Sequence, residues 1–179
     1  MPPMVEPLDP KHLRMVMGSY PTGVTIITSA SDQAFYGLVM GSFGSVSLDP
    51  PLVQFMPQTK GRSWREIEKT GIFCVNILAA GQVELCRRFF IKQGDPFAAT
   101  QFHLSAHGLP RLSGCLGWID CQIETSIEAG DHFIIIGRVL TLARGALGPP
   151  LLFHRGDYGS LGGLVASAQP VQSGRFDVS

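Results

Sequence analysis

Apolar positions along the chain change their period several times, and each change predicts an element. Leu13, Val16, Met17 and Tyr20 recur at helical spacing after Asp9-Pro10, a pair suited to the cap and first position of a helix, and Gly18 and Pro21 close it. Residues 24–28 (V-T-I-I-T) are a β-branched run that predicts a strand, with a turn over residues 29–33. An extended run follows over residues 35–48. Its glycines, Gly37, Gly41 and Gly44, mark a bulge or a close approach by backbone or ligand. Asp49-Pro50-Pro51 breaks the run, and residues 52–56 resume as a strand.

Ser63 and Glu66 stand at capping-box spacing and predict a short helix ending near Gly71. Residues 72–78 read as a strand. Residues 81–90 read as a helix with Leu85, Phe89 and Phe90 turned inward, and residues 94–110 read as irregular. Two long apolar strands, residues 115–128 and 132–143, are joined by the turn Ala129-Gly130-Asp131, and residues 151–153 form a last short strand. Five to seven strands with two or three helices alternate too irregularly for a parallel βαβ sheet. The pattern predicts a mainly β, mostly antiparallel barrel with flanking helices. Residues after about Val165 are small and polar and read as a tail or arm, so the organisation is one domain over residues 1–164 and a segment over 165–179.

Composition narrows the class. The 179 residues are 45% hydrophobic and 16% charged, a balance that excludes intrinsic disorder and supports a core. With 14 basic and 14 acidic residues the formal net charge is zero, which argues against a nucleic-acid partner. No run reaches the ~20 apolar residues of a membrane-spanning helix. The N-terminus lacks the pattern of a secretory signal. Cys74, Cys86, Cys115 and Cys121 form no C-x-x-C pair, so they read as free thiols in a cytoplasmic protein rather than as metal ligands. A mean hydropathy of +0.19 leaves apolar surface to cover and predicts a homodimer. No dinucleotide fingerprint, P-loop or hydrolase elbow occurs.

Four segments hold candidate chemistry. Residues 37–51 (G-L-V-M-G-S-F-G-S-V-S-L-D-P-P) could present bare backbone and small hydroxyls to a flat aromatic ligand, or could be a bulged barrel strand. Residues 59–63 (T-K-G-R-S) put two cations and two hydroxyls at a helix start, which suits a phosphate or merely a capped helix. Gly130-Asp131-His132 could bond a ligand amide or only its own turn. Residues 154–159 (H-R-G-D-Y-G) could line a pocket with their His and Tyr or form a surface turn.

Together, in this order and spacing, these segments resemble the short-chain flavin reductase family, whose fold is the antiparallel Greek-key split barrel that binds FMN. The segments that carry the resemblance are Y-P-T-G-V-T-I-I-T (residues 20–28), S-F-G-S-V-S-L-D-P-P (42–51), F-C-V-N-I-L (73–78), A-G-D-H-F-I-I-I-G-R-V (129–139) and F-H-R-G-D-Y-G (153–159). The resemblance implies a homodimer that reduces FMN or FAD with NADH or NADPH and hands reduced flavin to a partner monooxygenase. It places Val39, Met40, Gly41 and Ser42 against the flavin ring, with Ser47, Leu48 and Asp49 at the ring edge or ribityl chain. Lys60, Gly61, Arg62 and Ser63 would hold the phosphate. His132 and Tyr158 would flank the nicotinamide. No residue is expected to act as acid, base or nucleophile, since the cofactors carry the chemistry. Members often carry Thr and Asn where this chain has Val39 and Gly41, and hydroxyl residues where it has Lys60 and Gly61. Two other functions fit the same resemblance: a flavin-dependent reductase of another acceptor, such as a metal chelate or corrinoid, and a flavin-binding electron carrier without nicotinamide activity.

Overall fold

Residues 8–91 and 94–161 are described in the computed structural model, so the expected boundary at 164 and the segment beyond it lie outside the described residues. In chain order the elements are α1 (Pro10–Met17), β1 (Thr22–Gly23), β2 (Thr25–Ala30), β3 (Phe35–Met40), β4 (Gly44–Leu48), β5 (Pro51–Phe55), α2 (Arg62–Thr70) and β6 (Ile72–Ile77). A 3-10 turn at Ala80–Gln82 then leads into α3 (Val83–Phe90). Six strands follow: β7 (Phe102–Leu104), β8 (Pro110–Leu112), β9 (Gly117–Ala129), β10 (His132–Arg144), β11 (Leu152–His154) and β12 (Asp157–Gly159).

The expected extended run over residues 35–48 is two strands, and they occupy opposite edges of one antiparallel sheet of seven, in the order β3-β2-β6-β9-β10-β5-β4. Laid flat, seven strands about 4.8 Å apart would separate those edges by ~29 Å. Only Gly41, Ser42 and Phe43 connect them, and four residue steps reach at most ~14 Å. The sheet therefore rolls until its edges meet. No ladder joins β3 to β4, so the barrel stays split.

Side chains alternate across the rolled sheet. Ile27, Met40, Phe55, Phe73 and Ile135 fill the interior together with Trp64 and Ile67 of α2. Val24, Ile26, Leu78 and, partly buried, Val39 face the other way, toward Cys86 and Phe89 of α3. The two helices thus pack against opposite faces of the β2–β3 edge. At the barrel's tightest inner contact, a Cβ on Gly137 would stand 2.5 Å from the Phe73 ring, so only glycine lets β10 close over it.

Several expectations are corrected in detail. Asp9 caps α1 as its position predicts, accepting from Lys11 and His12 N–H at 2.8 and 2.9 Å, yet Leu13, Val16 and Met17 remain more than half exposed. Ser29, expected in a turn, continues β2 because its buried hydroxyl donates to the Ile72 carbonyl at 2.8 Å. The N-cap of α2 is Gly61, two residues before the Ser63 expected there. The Gly61 carbonyl already accepts from Arg65 N–H at 3.2 Å, and no side chain caps the helix. On α3 the inward residues are Cys86 and Phe89, while Phe90 is 72% exposed.

The span expected to be irregular, residues 94–110, contributes β7 and leads into β8, a small hairpin held down by buried polar groups. Asn76 donates to the Ile26 carbonyl and Thr28 hydroxyl at 3.0 and 2.9 Å, and accepts from Leu112 N–H at 2.7 Å. Asp120, fully buried on β9, takes both ends of the Arg111 guanidinium at 3.2 and 3.0 Å, plus Thr141 and His107 at 3.2 Å. A lone carboxylate in the apolar run W-I-D-C-Q-I had to find such partners.

Burial alone would raise the Asp120 carboxyl, but bonds from Arg111, Ser105, His107 and Cys74 outweigh it and hold it below the ordinary value of 3.8. Its ionised form therefore stabilises the fold above about pH 4, and that contribution is lost as pH falls through the lowered value. Asp120→Asn should cost about 3–5 kcal/mol near neutral pH. Urea unfolding at pH 7 and pH 3 should show the gap between wild type and variant narrowing in acid. A gap that is the same at both pH values would rule out the ion pair as its source.

Candidate active site

Two of the expected site segments, residues 37–51 and 154–159, meet at the place where β3 gives way to β4. A cavity of about 630 Å3 opens there on the outer face of the barrel. Val39 and Gly41 form one wall, from the end of the edge strand. Thr22 and Val24 form the floor, and Phe90 and Ile91 close the side nearest α3. The opposite wall is Phe153, Gly156 and Tyr158 of the β11–β12 hairpin. Nearly all of this lining is apolar, the usual chemistry of a small-molecule site.

Backbone bonds fix these walls to one another. Val24 N–H donates to the Leu151 carbonyl at 3.1 Å, Leu151 N–H to Leu78 at 2.9 Å, and Leu78 N–H back to Val24 at 3.1 Å. This triangle ties the small β1-β11-β12 sheet to the barrel. Within that sheet Thr22 pairs with Phe153 and Phe153 with Tyr158, so all three reach the cavity in register. The hairpin turns at Arg155-Gly156, where φ is +51° and +92°, a two-residue turn that glycine permits. Tyr158 is anchored further by Cys86, whose thiol donates to its hydroxyl at 3.2 Å. Burial first, and then this bond, push the Tyr158 hydroxyl up to about 12, so it stays protonated at neutral pH.

Gly41 is the flat point of the wall. A Cβ there would stand 3.0 Å from the Thr22 hydroxyl. Ser42, the next residue, accepts from Met56 N–H at 2.9 Å, which couples the strand end to the segment after β5. That segment carries the second cluster. Phe133 N–H donates to the Pro57 carbonyl at 2.9 Å, Gln58 bridges to His132, and Thr59 donates to the Asp131 carbonyl from its N–H at 3.0 Å and its hydroxyl at 3.2 Å. Lys60, Gly61, Arg62 and Ser63 follow directly and open α2. The helix has no side-chain cap and no acidic residue in its first turn, and neither Lys60 nor Arg62 forms an ion pair among the described residues. The result is a locally positive helix start with open N–H groups.

His132 holds Asp131 through Nδ1 at 2.6 Å. This bond keeps the exposed Asp131 carboxyl below its ordinary range and leaves Nε2 available to a ligand. The structure does not bring all the expected residues to one point. Val39, Gly41 and Tyr158 share the cavity, whereas His132 lies with the Lys60–Ser63 loop. Met40 is buried in the barrel interior and offers the site only its backbone. Ser47, Leu48 and Asp49 lie at the far tip of the β4–β5 hairpin, about five residues or ~17 Å along the strand from Ser42. The sequence reading missed Thr22, Arg87, Ile91 and Phe153. An exposed aromatic at Phe90 beside a cation was the available signal, hidden by counting Phe90 as core.

The buried thiols of Cys115 and Cys121 are pushed up to about 12 by desolvation and are poor nucleophiles. Among the described residues no helix is long and apolar enough to cross a membrane, and no three His, Cys, Asp or Glu side chains are grouped to hold a metal ion.

Residues 17–162 match the family described as flavin reductase like domain. A flavin reductase of Pseudomonas putida is 45% identical over 153 residues, covering 85% of this chain and 90% of its own. The reductase subunit HsaB of a flavin-dependent monooxygenase from Rhodococcus jostii is also 45% identical, covering 86% of this chain and 78% of its own. Among solved structures, nitrilotriacetate monooxygenase component B from Mycobacterium thermoresistibile superposes with a TM-score of 0.86 at 39% identity over 93% of each chain.

Proposed function

We propose, from the premise that this chain belongs to the flavin reductase like domain family, that it is an NAD(P)H:flavin oxidoreductase supplying reduced flavin to a partner monooxygenase. It moves a hydride from NADH or NADPH to FMN or FAD. The observation that supports this reading is the apolar cavity against Val39 and Gly41, joined through Ser42 to a helix start that has no side-chain cap and two cations that form no ion pair among the described residues. A fused aromatic ring fits the flat wall, and a phosphate fits the helix start.

Flavin, when bound, supplies the electron-accepting ring. The chain supplies position. Holding donor and acceptor about 3–3.5 Å apart accounts for roughly 7–11 kcal/mol of barrier lowering, which is why no acid or nucleophile is needed. Val39 and Gly41 flatten the ring's wall, and the backbone of Met40 and Ser42 bonds its polar edge. Thr22 places a hydroxyl beside Gly41. Lys60, Gly61, Arg62 and Ser63 hold the phosphate. Tyr158 and His132 flank the nicotinamide, His132 through Nε2. Ser47, Leu48 and Asp49, at the tip of the β4–β5 hairpin, contact the ring edge or the ribityl chain on this reading. The exposed stripe of Leu13, Val16 and Met17 supports a homodimer. Buried, unpaired cysteines and a nicotinamide nucleotide co-substrate support a cytoplasmic location.

Four measurements test this reading. Oxidation of NADH followed with and without added FMN or FAD should show turnover that depends on free flavin; no oxidation under either condition means an electron carrier instead. Light scattering should give twice the 19.3 kDa chain mass, and a monomer at micromolar concentration would sink the dimer. Arg62→Ala should weaken flavin binding more than tenfold, since a charge-assisted bond is worth about 1.5–3 kcal/mol. His132→Ala should instead raise KM for NAD(P)H and leave flavin affinity within about twofold. The reverse pattern would assign His132 to the phosphate site beside it.

A further inference from the structure

The cavity has one charged side chain among its described lining residues, and nothing in the reading above uses it. Arg87 stands on the last turn of α3, one residue after Cys86, whose thiol holds Tyr158, and three before Phe90. Its exposed guanidinium pairs with Glu84, one turn earlier, at 2.5 Å. An arginine on an otherwise apolar rim adds charge and a two-pronged donor fork that matches a phosphate.

Both substrates of a nicotinamide-flavin reaction carry phosphate, and one group cannot serve both. Lys60 and Arg62 lie at the start of the helix that plugs the barrel interior, and Arg87 on the helix at the outer face. The two cationic positions lie on opposite sides of the β2–β3 edge. Arg87 shares its cavity with Val39 and Gly41, read above as the flavin wall, and with Tyr158, read above as flanking the nicotinamide. We infer that Arg87 is a specificity-determining residue that binds the pyrophosphate of the nicotinamide dinucleotide, while the α2 loop binds the phosphate of the flavin. The assignment rests on the proposed reductase reading and divides recognition of the two nucleotides between two helices. Glu84 orients the guanidinium and leaves its second nitrogen, Nη2, and Nε for the ligand.

The experiment compares two hydride donors in the full-length protein. NADH carries the pyrophosphate; 1-benzyl-1,4-dihydronicotinamide has the same reacting ring and no phosphate. If wild type oxidises neither donor with FMN or FAD, the reductase reading fails, and with it the premise. Given wild-type turnover, Arg87→Gln should raise KM for NADH at least tenfold, with KM for the benzyl donor and flavin affinity within twofold. Arg87→Lys should recover part of the loss for NADH, because it restores charge without the fork. Equal losses with both donors, or no change with NADH, would overturn the proposal and leave Arg87 as a wall residue. A matched thermal melting curve for each variant keeps a folding defect from being read as either result.

Discussion

Everything distinctive about this chain depends on the three-residue tether of Gly41, Ser42 and Phe43. It joins the two outermost strands of a seven-stranded sheet and so forces the sheet to roll. Strands of ordinary composition, free of that tether, would make an open twisted sheet with two long exposed edges. Rolling gives the sheet an inside and an outside, and the strict alternation of a strand then sends Met40 inward and Val39 outward. The same tether is where a ligand has access. Backbone that must turn from one edge to the other cannot stay in a ladder, so its N–H and C=O groups are open for other partners.

The barrel can close only because certain positions yield space and certain polar groups are paired. Gly137 lets β10 lie over Phe73, whose ring would otherwise meet a Cβ at 2.5 Å. Asn76, Thr28 and Asp120 sit at zero exposure and would each be costly if unpaired. Their partners all come from the β7–β8 hairpin or adjacent strands, so one small hairpin is fastened by three separate polar contacts. This network lies on the side of the sheet away from the Lys60–Ser63 loop. It gives the site rigid walls without taking part in it.

Much of this was legible from local pattern. The cap at Asp9, the β-branched run of β2, and the β9–β10 hairpin with its turn at Gly130 are decided by residues close in sequence, and all appear in the structure. The Ser63–Glu66 pair misled because a capping box is defined by spacing alone, whereas the helix starts wherever a carbonyl first accepts, here at Gly61. Strands β7 and β8 are three residues each and owe their form to Thr28, Asn76 and Asp120, none of them nearby in sequence. Phe90 has the hydrophobicity of a core residue and the exposure of a rim residue. Periodicity alone cannot distinguish a helix face turned to the core from one turned to a cavity.

The candidate site divides in the same way. Its pieces were legible as motifs, but their grouping depended on the tether. Val39, Gly41 and Tyr158 meet because β3 ends beside the β1-β11-β12 sheet, and Ser42 then leads toward Met56 on the other strand edge. A ligand whose ring lies at Gly41 and whose phosphate lies at Arg62 must therefore pass around the end of an edge strand, where a side chain would obstruct it. On that geometry a glycine at position 41 leaves the passage free of a side chain, beside the Thr22 hydroxyl. Tight flavin binding would need more polar contacts than this wall offers. A wall that is flat, apolar and open at one end is better matched to a flavin that enters oxidised, leaves reduced, and is used elsewhere.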